Sequence, residues 1–273
     1  MKIGVCIRAK NESNIICDFV NYYINIGFDK IIIYDNLSIP SIKDILAVNN
    51  IKNDKIQLLI DSNPVSNQTN IYLECINNNK DLDWLLLCDA DEFIYCNGNI
   101  KLFLEQFSED TSTILINWLV FGTSNINNYD ITKPVFSQFT YREDYTHFWN
   151  RFVKSFIRPK LIEHVGNVHI TINPQYKIKN VYNHEYILDV SKLKCDVIDP
   201  KLSINTPVVI IHYMTLDFES MTHKHDRNIS GKLLLPHDKK YSLEWYNSKL
   251  YGFLDNNIDT RMVEFNLQFE KSQ

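Results

Sequence analysis

WLLLCDADEFIYC, residues 84–96, runs an unbroken apolar stretch straight into Asp89, Asp91 and Glu92. A short apolar run of this kind, Trp84 through Cys88, is the pattern of a strand covered on both faces, as in a sheet flanked by helices. In open α/β sheets ligands gather beyond the carboxyl ends of the strands, which is where these acids fall. On an extended chain alternate residues share a face, so Asp89 and Asp91 are expected to meet at one spot and Glu92 to point the other way. Two carboxylates on one face suit a hard divalent ion, Mg²⁺ or Mn²⁺, able to grip a diphosphate and neutralise the charge on a departing nucleotide. The plain alternative is that the acids end a strand in solvent.

On the N-terminal side of this stretch, strand and helix patterns alternate. KIGVCIR (2–8) reads as a strand, and NESNIICDFVNYYINIG (11–27) as a helix with Asn11 or Ser13 as cap and Gly27 as stop. KIIIYDN (30–36) and KIQLLID (55–61) follow as strands, with a short helix between them and NQTNIYLECINNN (67–79) as the next helix. This is a Rossmann-like series whose strand ends present Arg8 to Glu12, Asp35 to Ser38, Asp61, and Asp89 to Glu92. A carboxylate such as Asp35 can accept hydrogen bonds from ribose hydroxyls or a base N–H, although turn and cap chemistry accounts for the same residue types. Beyond residue 111 the pattern loosens. Strands are expected at 112–122, 152–159 and 207–213, and the tail from Asp217 on reads as helical or irregular, with aromatic anchors Trp245, Tyr246, Phe253, Phe265 and Phe269.

The composition sets bounds. With 273 residues, 45% hydrophobic, and a net charge of -5, the chain has a sizeable core and no basic excess for general nucleic-acid binding. The cysteines Cys6, Cys17, Cys75, Cys88, Cys96 and Cys195 form no CxxC pair and read as buried thiols of a reducing compartment. No leader and no transmembrane run is visible, so a cytoplasmic protein, at most peripheral to a membrane, is expected.

Seven segments, CIRAKNE, GFDKIIIYDNLS, QTNIYLECINNN, WLLLCDADEFI, INWLVFGTSN, VKSFIRP and IIHYMTLDFESMTHK, taken in that order, resemble glycosyltransferases of the GT-A fold in the family 2-like and family 92-like branch. The resemblance covers about residues 3 to 227. It implies metal-dependent transfer of a sugar from a nucleotide sugar, most often UDP-linked, to a hydroxyl of a glycan, protein or lipid. Arg8, Lys10, Asn11, Glu12, Asp35, Asn36 and Ser38 would line the donor pocket, joined by Asp61 and Gln68. Asp89 and Asp91 would hold Mn²⁺ or Mg²⁺, with His212 as third ligand and His169 as the alternative or as a substrate-side residue. Lys224 and Arg227 would meet the diphosphate. Two departures stand out: Leu216-Asp217 replaces the family's Lys-Ser, and Asn228 replaces a glycine.

On the acceptor side, Trp118 and Phe121 are candidates to stack on a sugar face and Gly122 to permit a tight turn, with core packing open as the alternative. An inverting transferase needs a carboxylate base, and Glu92, Glu143, Asp144, Asp217 and Glu219 are candidates. The expected fold is thus α/β of GT-A type: residues 1–111 as the nucleotide-sugar half, 112–230 as the acceptor half, and 231–273 as a C-terminal extension. A sugar-phosphate nucleotidyltransferase and a non-catalytic nucleotide-sugar or carbohydrate binder are the rival readings. The first would normally carry a glycine-rich phosphate loop after strand one, which CIRAKNESN lacks.

Overall fold

A computed structural model describes residues 1–63, 67–186, 206–217, 220 and 257–270. In chain order the elements are β1 (Ile3–Ala9), α1 (Ile16–Asn25), β2 (Lys30–Asp35), α2 (Ile42–Val48), β3 (Ile56–Ile60), α3 (Gln68–Asn78), β4 (Trp84–Leu87), β5 (Glu92–Cys96) and α4 (Ile100–Leu104). There follow β6 (Thr111–Val120), α5 (Val135–Gln138), β7 (Tyr141–Arg142), β8 (Val153–Ile157), β9 (Lys177–Asn180), β10 (Val208–His212), β11 (Asn257–Ile258) and α6 (Arg261–Glu270).

Nine strands form one sheet in the order β3-β2-β1-β4-β8-β6-β10-β5, with β9 also on β6. The first four are parallel, as successive β/α crossovers require. β8 enters antiparallel between β4 and β6, and β5 closes the far end antiparallel to β10. The mixed α/β class expected from the sequence is the one the chain adopts. β4 is fully buried, in keeping with its unbroken apolar run, because α1 and α3 cover the sheet on opposite faces.

Helix α1 shows how the fold places the acidic segment. Its Ile16, Phe19, Val20 and Tyr23 are buried at helical spacing. From that face the Tyr23 hydroxyl donates to the Glu92 carbonyl at 3.0 Å, and Tyr22 donates to the Ile94 carbonyl. The helix therefore fixes the backbone of β5, not merely its side chains. Gly27, at φ +93, ends the helix where a side chain would be strained. The expected cap is corrected: the backbone carbonyl of Glu12 takes the first helical N–H groups. Asn11, at φ 55, instead accepts the Ile39 N–H at 2.9 Å and ties two strand-end loops together.

A core cluster runs from Ile3 on β1 through Phe93 and Ile210 to Met262 on α6. Of the tail's aromatic anchors, Phe265 packs on Tyr22 and Tyr95; Trp245, Tyr246, Phe253 and the Phe269 side chain lie outside the described residues. Cys6, Cys17, Cys75, Cys88 and Cys96 are free thiols, all but Cys17 buried. No helix among the described residues is long and apolar enough to cross a membrane.

Candidate functional site

The acidic segment is a turn, not an extended strand. The Glu92 N–H donates to the Asp89 carbonyl at 3.2 Å, and the chain reverses over Ala90 and Asp91 before entering β5. The expectation that Glu92 points away from both aspartates is therefore corrected. Its carboxylate folds back beneath the turn, where Oε2 accepts the Asp89 N–H at 3.0 Å. The side chain is 0% exposed.

The charge that balances this turn comes from Lys154 on β8, also 0% exposed. Its Nζ lies 2.7 Å from Asp89 Oδ2 and 3.4 Å from Glu92 Oε2. Asp89, 39% exposed, receives a second hydrogen bond from Gln68 Nε2 at 3.0 Å. Burial works to raise Asp89, but the ammonium and these hydrogen bonds outweigh it and hold the carboxyl below its usual value. Glu92 is pushed well above its usual value by burial, and its aspartate neighbours add to the push against the pull of Lys154. Burial works to lower Lys154, and the two carboxylates more than reverse it. Lys154 is hidden in the sequence, where it reads as a polar interruption in VKSFI. The usable signal was period two, since Val153 and Ser155 face one side and Lys154 and Phe156 the other.

His212, at the end of β10, reaches the turn from the opposite direction. The register sets it beside Glu92 on β5 and Val120 on β6. Its Nε2 lies 3.6 Å from Asp91 Oδ1, and its ring meets the Trp118 edge with centroids 4.4 Å apart. Asp91 and His212 thus converge while Asp89 is turned toward Lys154, and the expected trio does not assemble: among the described residues no group of three acid, cysteine or histidine side chains forms a metal cage. A carboxylate and an imidazole still fit a Mn²⁺ or Mg²⁺ site. Such ions are held by few protein groups when phosphate oxygens and water complete the shell. His169, the alternative ligand, sets Nδ1 3.3 Å from the Val153 carbonyl and its ring against Trp118. Burial, then Lys154, pushes it down to about 4, so it is a neutral imidazole at neutral pH.

The donor-side residues form a second cluster beside the turn, because Cys88 leaves β4 hydrogen-bonded to Cys6 on β1. Arg8 Nε donates to Asp61 Oδ2 at 2.7 Å, and Asn36 Nδ2 donates to the same carboxylate at 3.1 Å. Arg8 Nη2 is buried without a hydrogen-bond partner. Ser38 Oγ accepts the Asn11 N–H at 2.9 Å, while Lys10 and Glu12 sit half-buried on the same loop. Asp35 is corrected as a ribose reader. Its two oxygens accept the Ser38 and Ile42 N–H groups at 2.9 and 3.0 Å and hold the start of α2.

On the acceptor side, sugar stacking by Trp118 is corrected to packing. The ring is 5% exposed and covered by Phe152, His169 and His212. Phe121 is likewise buried, against Tyr213. Gly122 does not make the turn; Ser124 and Asn125 do, at φ 50 and 57. Among the base candidates, Asp217 spends its oxygens on the Tyr129 and Ser220 N–H groups, and exposed Asp144 caps its own turn through Thr146. Glu143 is different. It is buried, Oε1 has no hydrogen-bond partner, and its N–H bonds the Val120 carbonyl on the strand beside His212. Burial pushes it up to about 8. Lys224, Arg227 and Glu219 lie outside the described residues.

The model of a family described as glycosyltransferase family 92 matches residues 1–249. A search of curated proteins found no relative. Among solved structures, the chain is similar to TarS residues 1–349 of S. aureus, at 14% identity and TM-score 0.38 over 59% of this chain and 48% of that one. It is also similar to the mannosyltransferase PcManGT of Pyrobaculum calidifontis, in complex with GDP-Man and Mn²⁺, at 8% identity and TM-score 0.43 over 95% and 66%. A third is glucosyl-3-phosphoglycerate synthase of Mycobacterium tuberculosis, in complex with Mn²⁺, UDP and glucosyl-3-phosphoglycerate, at 11% identity and TM-score 0.37 over 70% and 74%. The chain spans about half the length of the first of these.

Proposed function

The chain belongs to glycosyltransferase family 92, and from that premise we propose that it moves a sugar from a UDP-linked donor to a hydroxyl of a glycan, protein or lipid, with inversion. The observation that carries this reading is the approach of Asp91 Oδ1 and His212 Nε2 to 3.6 Å at the carboxyl end of the sheet, beside the Arg8–Asp61–Asn36 cluster. These two side chains would hold Mn²⁺ or Mg²⁺. Bound there, the ion would supply Lewis-acid neutralisation of the diphosphate leaving group. Arg8, with Nη2 unpartnered, would donate to the nucleotide, its guanidinium oriented by Asp61, which Asn36 holds in turn.

Glu143 is our choice for the base that takes the acceptor hydroxyl's proton. It keeps an unpartnered carboxylate oxygen and a pKa pushed up to about 8, near the range in which a base works well at neutral pH.

The test is to incubate the protein with Mn²⁺ and a panel of nucleotide sugars and follow release of nucleoside diphosphate, with and without Asp91→Ala. Release that depends on Mn²⁺ and on Asp91 is expected. Pyrophosphate released from a nucleoside triphosphate and a sugar phosphate would favour a nucleotidyltransferase. Donor binding without turnover across many acceptors would favour a binding protein of the same fold.

A further inference from the structure

The placing of a cation on Asp91 and His212 rests on the transferase reading above, and the surroundings of His212 extend it outward. While Nε2 faces Asp91, Nδ1 on the far side of the ring faces Glu92 Oε1 at 4.0 Å. Both of these facing atoms are buried, and neither has a hydrogen-bond partner. Two orphaned polar atoms looking at each other in the protein interior is a costly arrangement unless something completes it. The other oxygen of Glu92 is already engaged, by the Asp89 N–H at 3.0 Å and by Lys154 Nζ at 3.4 Å. Trp118 sits against the imidazole at 4.4 Å and limits how the ring can turn.

An imidazole that gives its Nε2 lone pair to a cation carries its proton on Nδ1, and that proton needs an acceptor. We propose that Glu92 is this acceptor, a positioning residue that fixes the ring and tautomer of His212 for cation binding. Lys154 and the Asp89 amide anchor Glu92 from its other oxygen, so the carboxylate is held between the turn that carries Asp91 and the strand that carries His212. Closing 4.0 Å to a hydrogen bond takes a side-chain movement of about 1 Å. With one oxygen on the Asp89 N–H and Lys154 and the other given to His212, Glu92 is thereby separated from any role as acceptor base.

The test uses the full chain with UDP present and Mn²⁺ as probe, the free ion being followed by electron paramagnetic resonance. Glu92→Gln keeps the shape but offers one oxygen to two sets of donors, and Mn²⁺ affinity is expected to fall about 10- to 100-fold, with the urea midpoint measured alongside. Glu92→Asp keeps the charge but withdraws it, and a smaller loss is expected. With Co²⁺ in place of Mn²⁺, the wild-type proton spectrum should show one solvent-exchangeable, hyperfine-shifted line from the His212 Nδ1–H. That line should be absent in His212→Gln, and moved or lost in Glu92→Gln.

Wild-type Mn²⁺ affinity in Glu92→Gln, or an unmoved Co²⁺ line, would overturn the proposal and leave the transferase reading standing. If Glu92→Gln does not fold, undiminished affinity in Glu92→Asp overturns it equally. Failure of the wild type to bind Mn²⁺ with UDP, or full affinity in His212→Gln, would remove the cation reading and this proposal with it.

Discussion

Replacing Lys154 by Met should leave the stem's packing nearly intact while deleting its charge, because the two side chains have similar length. At an effective dielectric of about 20, unit charges 2.7 and 3.4 Å apart attract by roughly 6 and 5 kcal/mol. The Asp89 share is discounted because that carboxylate is 39% exposed and screened by water. Glu92, at 0%, has no such relief from water, but its raised pKa lets it take up a proton once the ammonium is gone, which caps its share. Desolvating the ammonium offsets several kcal/mol, so the net cost of removing the partner of a buried charge is about 3–5 kcal/mol. With a urea m-value near 3 kcal/mol/M, that is a fall of about 1–1.7 M in the unfolding midpoint, read by circular dichroism. The double variant Lys154→Met/Glu92→Gln removes the stranded carboxylate but keeps an acceptor for the Asp89 N–H, and it should recover at least half of the loss. A midpoint shift below about 0.3 M in the single variant, or a double variant no more stable than the single, would refute the charge-balance argument.

Three further outcomes are expected. Trp118→Ala should cost about 3–5 kcal/mol in urea unfolding, as truncation of a buried aromatic does; a fully stable variant that had lost only sugar affinity would restore the stacking role. Asn150→Ala strips the buried Val120 N–H of its acceptor and takes one of two donors from the Asp144 carbonyl, which keeps the His147 N–H, and should lower stability by about 1–3 kcal/mol in urea unfolding. Burial raises Asp18 from 3.8 to about 6, so its contribution to stability is fully present below 3.8 and is lost as pH rises through 6. Asp18→Asn keeps an acceptor for the Val135 N–H. It should raise stability by up to about 3 kcal/mol at pH 7.5 and by almost nothing at pH 3.5, compared by urea unfolding at both values.

The N-terminal half was legible because each of its elements is decided by local pattern. Strand 2–8 appears as Ile3–Ala9, strand 55–61 as Ile56–Ile60, and helix 67–79 as Gln68–Asn78. In the second half, 207–213 appears as Val208–His212. β5 escaped notice because EFIYC begins on a charge, and its burial comes from the distant partners β10 and α1. The same cause hid the site's inner structure. Asp89, Asp91 and His212 are visible as residue types, but that Asp89 belongs to Lys154 while Asp91 belongs to His212 depends on where β8 and β10 insert in the sheet. Asp35 and Asp217 were misjudged for a related reason. Their carboxylates are consumed by backbone amides, Asp35 by those of Ser38 and Ile42 and Asp217 by those of Ser220 and the distant Tyr129, and a sequence pattern does not announce these pairings.

The rung that pairs Ile210 with Ile94 and His212 with Glu92 also makes the site's geometry a discrete setting. Strand side chains alternate, so sliding β10 by one residue presents Ile211 or Tyr213 to Asp91 and sends the imidazole to the other face of the sheet. No intermediate position exists in which His212 is merely loosened. Length changes upstream of Thr206 are therefore silent at the site as long as the rung is kept, whereas one residue gained or lost within β10 switches it off entirely. Variation between relatives of this chain should accumulate ahead of that strand and stop abruptly at its first residue, Val208.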